Sequence, residues 1–264
     1  KNNNLNFNIV VFICFSIVVF YNKAFANNFS CIENECNETR IIKVLLLYDD
    51  KKVNTKKWID NINIRLEEIN KFYYLNYKIR WKITKKQLFP FNKELKNLSS
   101  LFTLHKEEII NLSNNNEEEV ILCILSRSIR GKGIAATFSN IAMVADSHSF
   151  KNYESSVIIA HELAHLFGAW HTQRKNDFML ASGADQLRVS NESNSILNLM
   201  RNYNFDTNLL VNENKILKRI SRLYNRHHAR GEINPVSRLL TDIGASLYIK
   251  KEYNKSIQLL NKSN

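Results

Sequence analysis

The pattern of apolar and polar positions in the first half of the chain predicts alternating strands and helices. Residues 41–48 (IIKVLLLY) form a nearly continuous apolar run, which is typical of a buried strand. Apolar side chains then recur at roughly helical spacing over about residues 56–74. Residues 77–88 alternate apolar and polar side chains, as a half-exposed strand does. A second helix is predicted over about residues 92–112.

The same pattern continues to the middle of the chain. Residues 120–125 (VILCIL) predict a buried strand, and residues 134–145 predict one or two short strands around a turn. A helix is predicted over about residues 153–167. Asp146 and His148, in the loop before it, are expected to be solvated, with a second ion site as the alternative. This order of elements predicts a mixed α/β sheet with helices packed on it.

The last of these helices contains the segment HELAHLFGAWH, which holds three of the seven histidines of the chain. His161 and His165 are four residues apart, so they project from one helix face and can reach one tetrahedral metal ion. Glu162 points about 100° away around the helix and can reach a water held by that ion. Gly168 can adopt a positive φ and end the helix, so the following turn can return His171 as a third ligand.

The predicted site has three protein ligands, which leaves one coordination position for water. That is the arrangement of a catalytic zinc ion rather than a structural one. Zinc lowers the pKa of a bound water from about 15.7 to about 7. Glu162 then takes the proton as a general base and passes it to the leaving amine. The sequence therefore predicts one catalytic Zn²⁺ ion held by His161, His165 and His171, with Glu162 as the catalytic residue.

The segment matches HExxHxxGxxH, and on this motif the chain resembles the metzincin zinc endopeptidases over about residues 40–210. The resemblance implies a zincin-like α/β (α+β) fold with a mixed five-stranded sheet and an active-site helix. It also implies a methionine turn at Met179, and the short gap after His171 looks like the matrixin and reprolysin branches. It further implies a specificity wall over about residues 180–186 and an edge strand that pairs with an extended peptide substrate. The residues of that expected edge strand are Ile134, Ala135, Ala136 and Thr137.

Departures from the family pattern leave the branch open. No cysteine follows Cys123, so the C-terminal disulfides of animal reprolysins are absent, and the same absence argues against the archaemetzincin branch. We identify no matrixin-type pro-segment with a cysteine switch. Met200 is a second candidate for the methionine turn, although its longer gap favours a core position on a helix near residues 193–202.

The N-terminal residues have the pattern of an export signal. A positive first residue, an apolar run over residues 9–20 and a small-x-small site (AFA) ending at Ala26 support this interpretation. An uncleaved N-terminal anchor is the alternative. We expect residues 1–26 to be removed and the protein to be secreted, extracellular or periplasmic, with residues 27–39 as a loose N-terminal segment.

The cysteines are consistent with export, because exported proteins can carry disulfides. Cys31 and Cys36 are the simplest pair, whereas Cys123 lies in an apolar run and is expected to be a buried small hydrophobe. Three mature cysteines cannot all pair within one chain, and the sequence leaves the pairing open.

Residues 211–264, here called the helical tail, are expected to form a small helical segment. Residues 213–264 contain eleven Lys or Arg and four Asp or Glu in a chain of net charge +12. This charge favours contact with a protein or an anionic surface, or else only solvated helix faces. Residues 239–263 resemble one tetratricopeptide repeat, with a generic amphipathic helix pair as the alternative. We identify no nucleic-acid-binding module.

The composition, with 44% hydrophobic and 23% charged residues, is near ordinary globular usage and excludes a wholly disordered chain, a collagen-like fibre and a multi-span membrane protein. Only six glycines and two prolines argue against an all-β sandwich and favour long helices. We therefore expect residues 40–210 to be the catalytic domain of a secreted zinc endopeptidase that acts on protein or peptide substrates. The alternative is a secreted interaction protein with a structural or vestigial zinc site and a binding tail. A chain ending near Glu213 is expected to keep its activity on small peptides.

Overall fold

The computed structural model describes residues 38–49, 56–114, 117–146, 152–180, 183–205, 214–227 and 235–263. The expected export signal and the pair Cys31 and Cys36 lie outside these residues. Described residues from Thr39 onward belong to one compact unit. Among the helices within the described ranges, none combines the length and the apolar character needed to cross a membrane.

The described strands form one mixed sheet, which confirms the predicted mixed α/β fold. They are β1 (Arg40–Tyr48), β2 (Ile79–Leu88), β3 (Val120–Leu125), β4 (Gly133–Ala135) and β5 (Ile141–Ala145). Their order in the sheet is β2-β1-β3-β5-β4. The first four strands in this order pair in parallel, and β4 runs antiparallel to β5 at the edge. The whole of β3 is buried, as expected for a central parallel strand covered on both faces.

Four of the described helices accompany the sheet. They are α1 (Lys56–Tyr77), α2 (Leu98–Asn114), α3 (Asn152–Leu166) and α4 (Asn191–Met200). Three begin close to their predicted positions, but the prediction that α2 starts near residue 92 is wrong. The Asn97 side chain accepts hydrogen bonds from the backbone N–H groups of Ser99 and Ser100, at 2.9 and 3.3 Å, and so caps the helix. The first residue of the helix is also held by Arg130, whose carbonyl accepts from the Leu98 N–H at 2.9 Å.

Both faces of the sheet are covered. One face packs against α2 through alternate side chains of β1, β3 and β5, because successive residues of a strand point to opposite sides. These side chains are Leu45, Leu47, Ile121, Cys123, Leu125, Ile141 and Met143. Helices α1 and α3 contact each other, and the Tyr73 hydroxyl donates to the Ala160 carbonyl between them at 2.8 Å. Cys123 is fully buried, as predicted, and burial raises the pKa of its thiol.

The described part of the helical tail consists of α5 (Asn214–His227), α6 (Pro235–Ile249) and α7 (Tyr253–Ser263). Helices α6 and α7 pack closely, since a Cβ added at Gly244 would lie 2.9 Å from the Leu260 side chain. The Ser256 hydroxyl donates to the Gly244 carbonyl at 2.7 Å. Ile249 joins the core cluster around α2. The tail therefore packs on the sheet-and-helix body, and its helix pair is compatible with either interpretation of residues 239–263.

Candidate metal centre

Helix α3 carries the first two predicted ligands. Its lead-in at residues 157–160 (VIIA) is buried, which anchors the helix in the core. His161 follows at once and remains half-buried at the cleft. His165 lies one turn further on, and the Nε2 atoms of His161 and His165 are 3.2 Å apart. The four-residue spacing therefore places both rings on one face, as the sequence predicts.

The third ligand returns through a turn at residues 167–171, here called the ligand turn. Gly168 has φ of +85°, in the left-handed region that favours glycine. A Cβ added there would lie 2.1 Å from the Phe138 ring, so no larger side chain fits. Beyond this turn the Nε2 atom of His171 lies 3.1 Å from that of His161 and 3.2 Å from that of His165. Gly168 thus occupies the helix-ending position that the sequence indicates.

The three Nε2 atoms fit one zinc ion. Zinc binds histidine nitrogen at about 2.0–2.1 Å, and in a tetrahedral site two such nitrogens lie about 3.3 Å apart. The observed separations of 3.1 to 3.2 Å are close to that value. Within the described ranges, His161, His165 and His171 are the group of metal-ligating side chains that meets these requirements. The predicted ligand set is therefore brought together in space.

Hydrogen bonds to the backbone set the tautomer of two of these rings. The Nδ1 atom of His161 lies 2.7 Å from the Phe178 carbonyl oxygen, and that of His165 lies 2.7 Å from the Ala169 carbonyl oxygen. A carbonyl oxygen can only accept, so each Nδ1 carries the proton and donates it. The Nε2 atom of each ring is then left with a lone pair directed at the shared point. Lone pairs that converge in this way need a cation between them.

Burial keeps these imidazoles neutral. It lowers the pKa of His161 to about 4 and lowers the pKa of His165 well below its ordinary value. Burial also lowers the pKa of His171, and the positive charge of Arg238 on α6 lowers it further. Neutral imidazole is the form that binds a metal. The centre is therefore ready to bind a cation near neutral pH without first releasing protons from these rings.

Glu162 lies beside the triad in a desolvated position. It is buried, and burial raises the pKa of its carboxyl group to about 8. Within the described part of the chain, its Oε2 atom has no hydrogen-bond partner. The other oxygen packs against β4, where a Cβ added at Gly133 would lie 2.3 Å from Oε1. A nearby cation would offset the cost of ionising this buried carboxylate.

A cavity of about 250 Å³ lies next to the triad. It is lined by His161, His171 and Glu162, by the apolar side chains of Val157, Ile158, Phe178 and Leu180, and by Lys132, Gly133, Glu154, Gly183 and Ala184. Lys132 Nζ and Glu154 Oε1 form an ion pair of 2.8 Å. Three of the lining residues come from the expected specificity wall, of which residues 181 and 182 lie outside the described ranges. The wall of the cavity is thus formed by apolar side chains, one ion pair and two of the candidate metal ligands.

The methionine turn follows His171 and is organised by a buried aspartate. Met179 is fully buried, and its carbonyl accepts from the Thr172 N–H at 2.9 Å. Asp177, also fully buried, accepts from the Met179 N–H at 2.7 Å, from the Ser190 N–H at 2.9 Å and from the Ser193 hydroxyl at 2.8 Å. These bonds fix the turn whose Phe178 carbonyl orients His161. The alternative candidate Met200 is a buried core residue on α4, as expected.

The expected edge strand is shorter than the sequence suggests. Strand β4 is at the edge of the sheet and contains Ile134 and Ala135, but it ends there. Ala136 and Thr137 lie beyond its end, because the chain already turns towards β5. The Ser139 N–H and hydroxyl both donate to the Ala136 carbonyl, at 3.0 and 2.7 Å, and close this turn.

Asp146 is not in a solvated loop, and that expectation is corrected. It is buried, forms an ion pair with Arg65 and accepts a hydrogen bond from the Ser155 hydroxyl at 3.2 Å. This carboxylate is therefore satisfied by structural partners. His148 lies outside the described residues.

Three residues around the centre escaped the sequence analysis. Asp177 had a usable signal, since an aspartate two residues before a turn methionine can accept its N–H. Gly133 carries no signal of its own in the sequence, although its missing side chain makes room for Glu162. Tyr224 of α5 donates to the Gly168 carbonyl, and no local pattern in the sequence points to that contact.

No family model and no curated protein matches this sequence. Similar solved structures include archaemetzincin from Methanopyrus kandleri, with 16% identity, 61% of this chain and 94% of that chain covered, and a TM-score of 0.44. Metalloproteinase-II from Bacteroides fragilis is 14% identical, with 66% of this chain and 60% of that chain covered and a TM-score of 0.44. A chain of a chaperone–substrate complex is 13% identical, with 64% of this chain and 35% of that chain covered and a TM-score of 0.48. The present chain therefore spans about a third of the length of that protein. The described residues of this chain combine a mixed five-stranded α/β sheet with a three-histidine group that could hold a metal ion.

Proposed function

We propose that this chain is a zinc-dependent endopeptidase of the metzincin type that hydrolyses peptide bonds in proteins or peptides. One observation carries the proposal. The Nε2 atoms of His161, His165 and His171 lie within 3.2 Å of one another, and the buried carboxylate of Glu162 lines the same cavity. Three candidate metal ligands, a candidate general base and a cavity for a substrate side chain therefore occur together.

The chemistry follows from these residues. His161, His165 and His171 would hold the zinc ion, which when bound lowers the pKa of water and polarises a carbonyl group. Glu162 takes a proton from the attacking water as the water oxygen bonds to the peptide carbonyl carbon. It then donates that proton to the amide nitrogen as the carbon–nitrogen bond breaks. A raised carboxyl pKa suits a group that must both accept and release a proton near neutral pH.

Substrate binding is proposed along β4. This strand is the last of the sheet, so one of its edges is available to pair with an extended peptide. A peptide held there would pass the triad and direct one side chain into the adjacent cavity. Val157, Ile158 and Phe178 make the lining apolar, which favours an apolar side chain.

The alternative function is an interaction protein with a structural zinc site. A structural site has no use for Glu162, whose Oε2 atom lacks a hydrogen-bond partner in the described part of the chain. Burying a carboxylate without a partner costs free energy, and a proton-transfer role accounts for that cost. The position of Glu162 therefore favours the peptidase.

Hydrolysis of a quenched peptide or a generic protein tests the proposal. We expect activity that a zinc chelator abolishes and that added zinc restores. Glu162→Ala should lower the rate by about 10²- to 10⁴-fold, because the proton carrier is lost. Zinc content, measured by metal analysis, should stay at that of the parent protein, since Glu162 is not a ligand.

Glu154→Ala is the matched control for this test. Glu154 lies on the same helix and lines the same cavity, but its oxygen is paired with Lys132. This variant should keep most of the activity on peptides without charged side chains. Cleavage by the Glu162 variant at the parental rate would contradict the role assigned to Glu162.

Export and the role of the helical tail complete the proposal. The apolar N-terminal run and the site ending at Ala26 support secretion, and a mature protein recovered outside the cell should begin at Asn27.

The exposed basic residues of α5 support contact with an acidic protein or an anionic surface; they are Lys215, Lys218 and Arg222. Retention on anionic vesicles that falls with added salt would test this contact.

A further inference from the structure

A buried tyrosine of the helical tail reaches the ligand turn. Ile216, Ile220 and Tyr224 recur every four residues on α5, and all three are buried. The Tyr224 hydroxyl donates a hydrogen bond of 2.9 Å to the Gly168 carbonyl. Its ring centroid lies 4.4 Å from that of Trp170. Helix α5 therefore contacts the ligand turn at two residues, the second of which immediately precedes the ligand His171.

The Gly168 carbonyl needs such a donor. Helix α3 ends at Leu166, so this group lies beyond the regular hydrogen bonds of the helix. Gly168 is buried, and a buried carbonyl without a partner costs free energy. The next carbonyl, of Ala169, already accepts from the Nδ1 atom of His165. Two consecutive carbonyls of the turn are thus held by side chains, one from the ligand helix and one from the tail.

Phe138 also packs closely against the turn. A Cβ added at Gly168 would lie 2.1 Å from the Phe138 ring, so ring and backbone are in close contact. The Phe138 N–H also donates to the His165 carbonyl at 3.2 Å. The turn therefore contacts both Phe138 and Tyr224, and this close packing leaves it little room to shift.

We infer that Tyr224 is a positioning residue of the metal centre, which holds the ligand turn through Gly168 and Trp170 and so places His171. On this inference the helical tail is part of the centre rather than an appendage to it. The inference rests on the proposed function only in that His161, His165 and His171 are taken to bind zinc. It does not require the protein to cleave peptides.

The zinc affinity of the Tyr224→Phe variant tests this inference. The substitution keeps the ring against Trp170 and removes only the hydroxyl. Zinc affinity of the full-length protein is measured by competition with a chromogenic chelator, and the visible spectrum of the Co²⁺-loaded protein reports ligand geometry. We expect about tenfold weaker zinc binding and an altered Co²⁺ spectrum.

Tyr73→Phe is the matched control. Tyr73 is also fully buried and also donates to a carbonyl of the α3 segment, that of Ala160, at 2.8 Å. It lies on α1, and Ala160 is inside the helix rather than in the ligand turn. The zinc affinity of the Tyr73→Phe variant should stay within about twofold of the parent value, even though this variant also loses a buried hydrogen bond.

The outcomes separate this inference from the proposed function. Equal zinc affinity and equal Co²⁺ spectra for the parent and Tyr224→Phe would overturn the inference and leave the peptidase proposal standing. A parent protein that binds no zinc would overturn both. If Tyr224→Phe does not fold, Trp170→Phe reduces the contact between the two rings instead. Its zinc affinity and Co²⁺ spectrum are then compared with those of Tyr73→Phe, and values equal to the parent's would overturn the inference.

Discussion

Two of the three histidines of the metal centre are oriented by backbone carbonyl groups rather than by carboxylates. Phe178 and Ala169 supply these carbonyls, each 2.7 Å from an Nδ1 atom. Such partners set the tautomer and the ring orientation without adding negative charge next to the ion. A zinc ion held by three neutral imidazoles keeps its full charge to act on water and on the substrate.

Acid is expected to destabilise the metal-free protein through His161. Burial lowers its pKa in the folded protein to about 4, whereas an unfolded histidine titrates near about 6.5. The unfolded chain therefore binds this proton more tightly, so the free energy of unfolding falls as the pH falls from about 6.5 towards 4. We expect a loss of about 1–3 kcal/mol from this group, measured by urea unfolding with a chelator present.

His161→Gln should reduce this dependence, because it removes the titrating group. If His161→Gln lost as much stability as the parent between about pH 7 and pH 5, the assigned source of the effect would be wrong.

At the scale of elements, the centre depends on how closely α3 approaches strand β4. Glu162 lies where α3 faces the first residue of β4, and Gly133 leaves the space that the carboxylate fills. In the proposed reaction, β4 would hold the substrate and α3 would hold the general base Glu162. The absence of one side chain on the edge strand therefore sets the position of the carboxylate.

Gly133→Ala is expected to lower kcat by about 10²-fold, since small displacements of a catalytic group have effects of that size. The new Cβ would lie 2.3 Å from Oε1 and 2.6 Å from Cγ of Glu162, so the carboxylate must move. Zinc content should not change, because the three atoms nearest to the new Cβ all belong to Glu162, which is not a proposed ligand. Steady-state kinetics and metal analysis on the same preparation measure both.

Gly183→Ala is the control for the edge strand. It adds the same methyl group to another wall of the cavity, where Lys132 Nζ at 3.8 Å is the neighbour that it meets. Its positive φ of +93° makes a loss of stability the expected effect, with kcat less affected than in Gly133→Ala. A normal kcat for Gly133→Ala would show that Glu162 can relocate without cost.

At the scale of the whole molecule, the helical tail is packed into the body at several points. Ile249 joins the core cluster around α2, and the Lys106 ammonium lies 5.1 Å from the centre of the Tyr248 ring. Lys250 Nζ donates to the Phe205 carbonyl. Together with the contact of Tyr224 to the ligand turn, these contacts bind the tail to both the core and the metal centre.

A chain that ends at Phe205 is therefore expected to lose cooperative folding or most of its zinc affinity. It differs from the sequence-based expectation that a chain ending near Glu213 keeps its activity on small peptides. The deletion exposes apolar residues of the body and removes the Gly168 donor, and each lost buried side chain costs about 2–5 kcal/mol. Thermal unfolding and zinc titration measure the loss. A soluble, cooperatively folded fragment with parental zinc affinity would contradict it.

Much of the fold was predictable because it depends on local pattern. The continuous apolar run of β3 indicated a strand buried on both faces, and residues 120–125 form that strand. The start of α2 was not predictable from periodicity, since it is set by the Asn97 cap and by pairing with Arg130, which is distant in sequence. The burial of Asp146, directly after β5, was unpredictable for the same reason, because its partner Arg65 lies on α1.

The sequence by itself predicted the ligand set of the candidate metal centre. A four-residue histidine spacing, a helix-ending glycine and a third histidine act within one short segment, so local helix geometry is enough to bring the ligands together. Only the tertiary structure decided what holds that segment in place. Tyr224 on Gly168, Gly133 against Glu162 and Asp177 under the methionine turn are contacts between separate elements, which depend on how those elements pack.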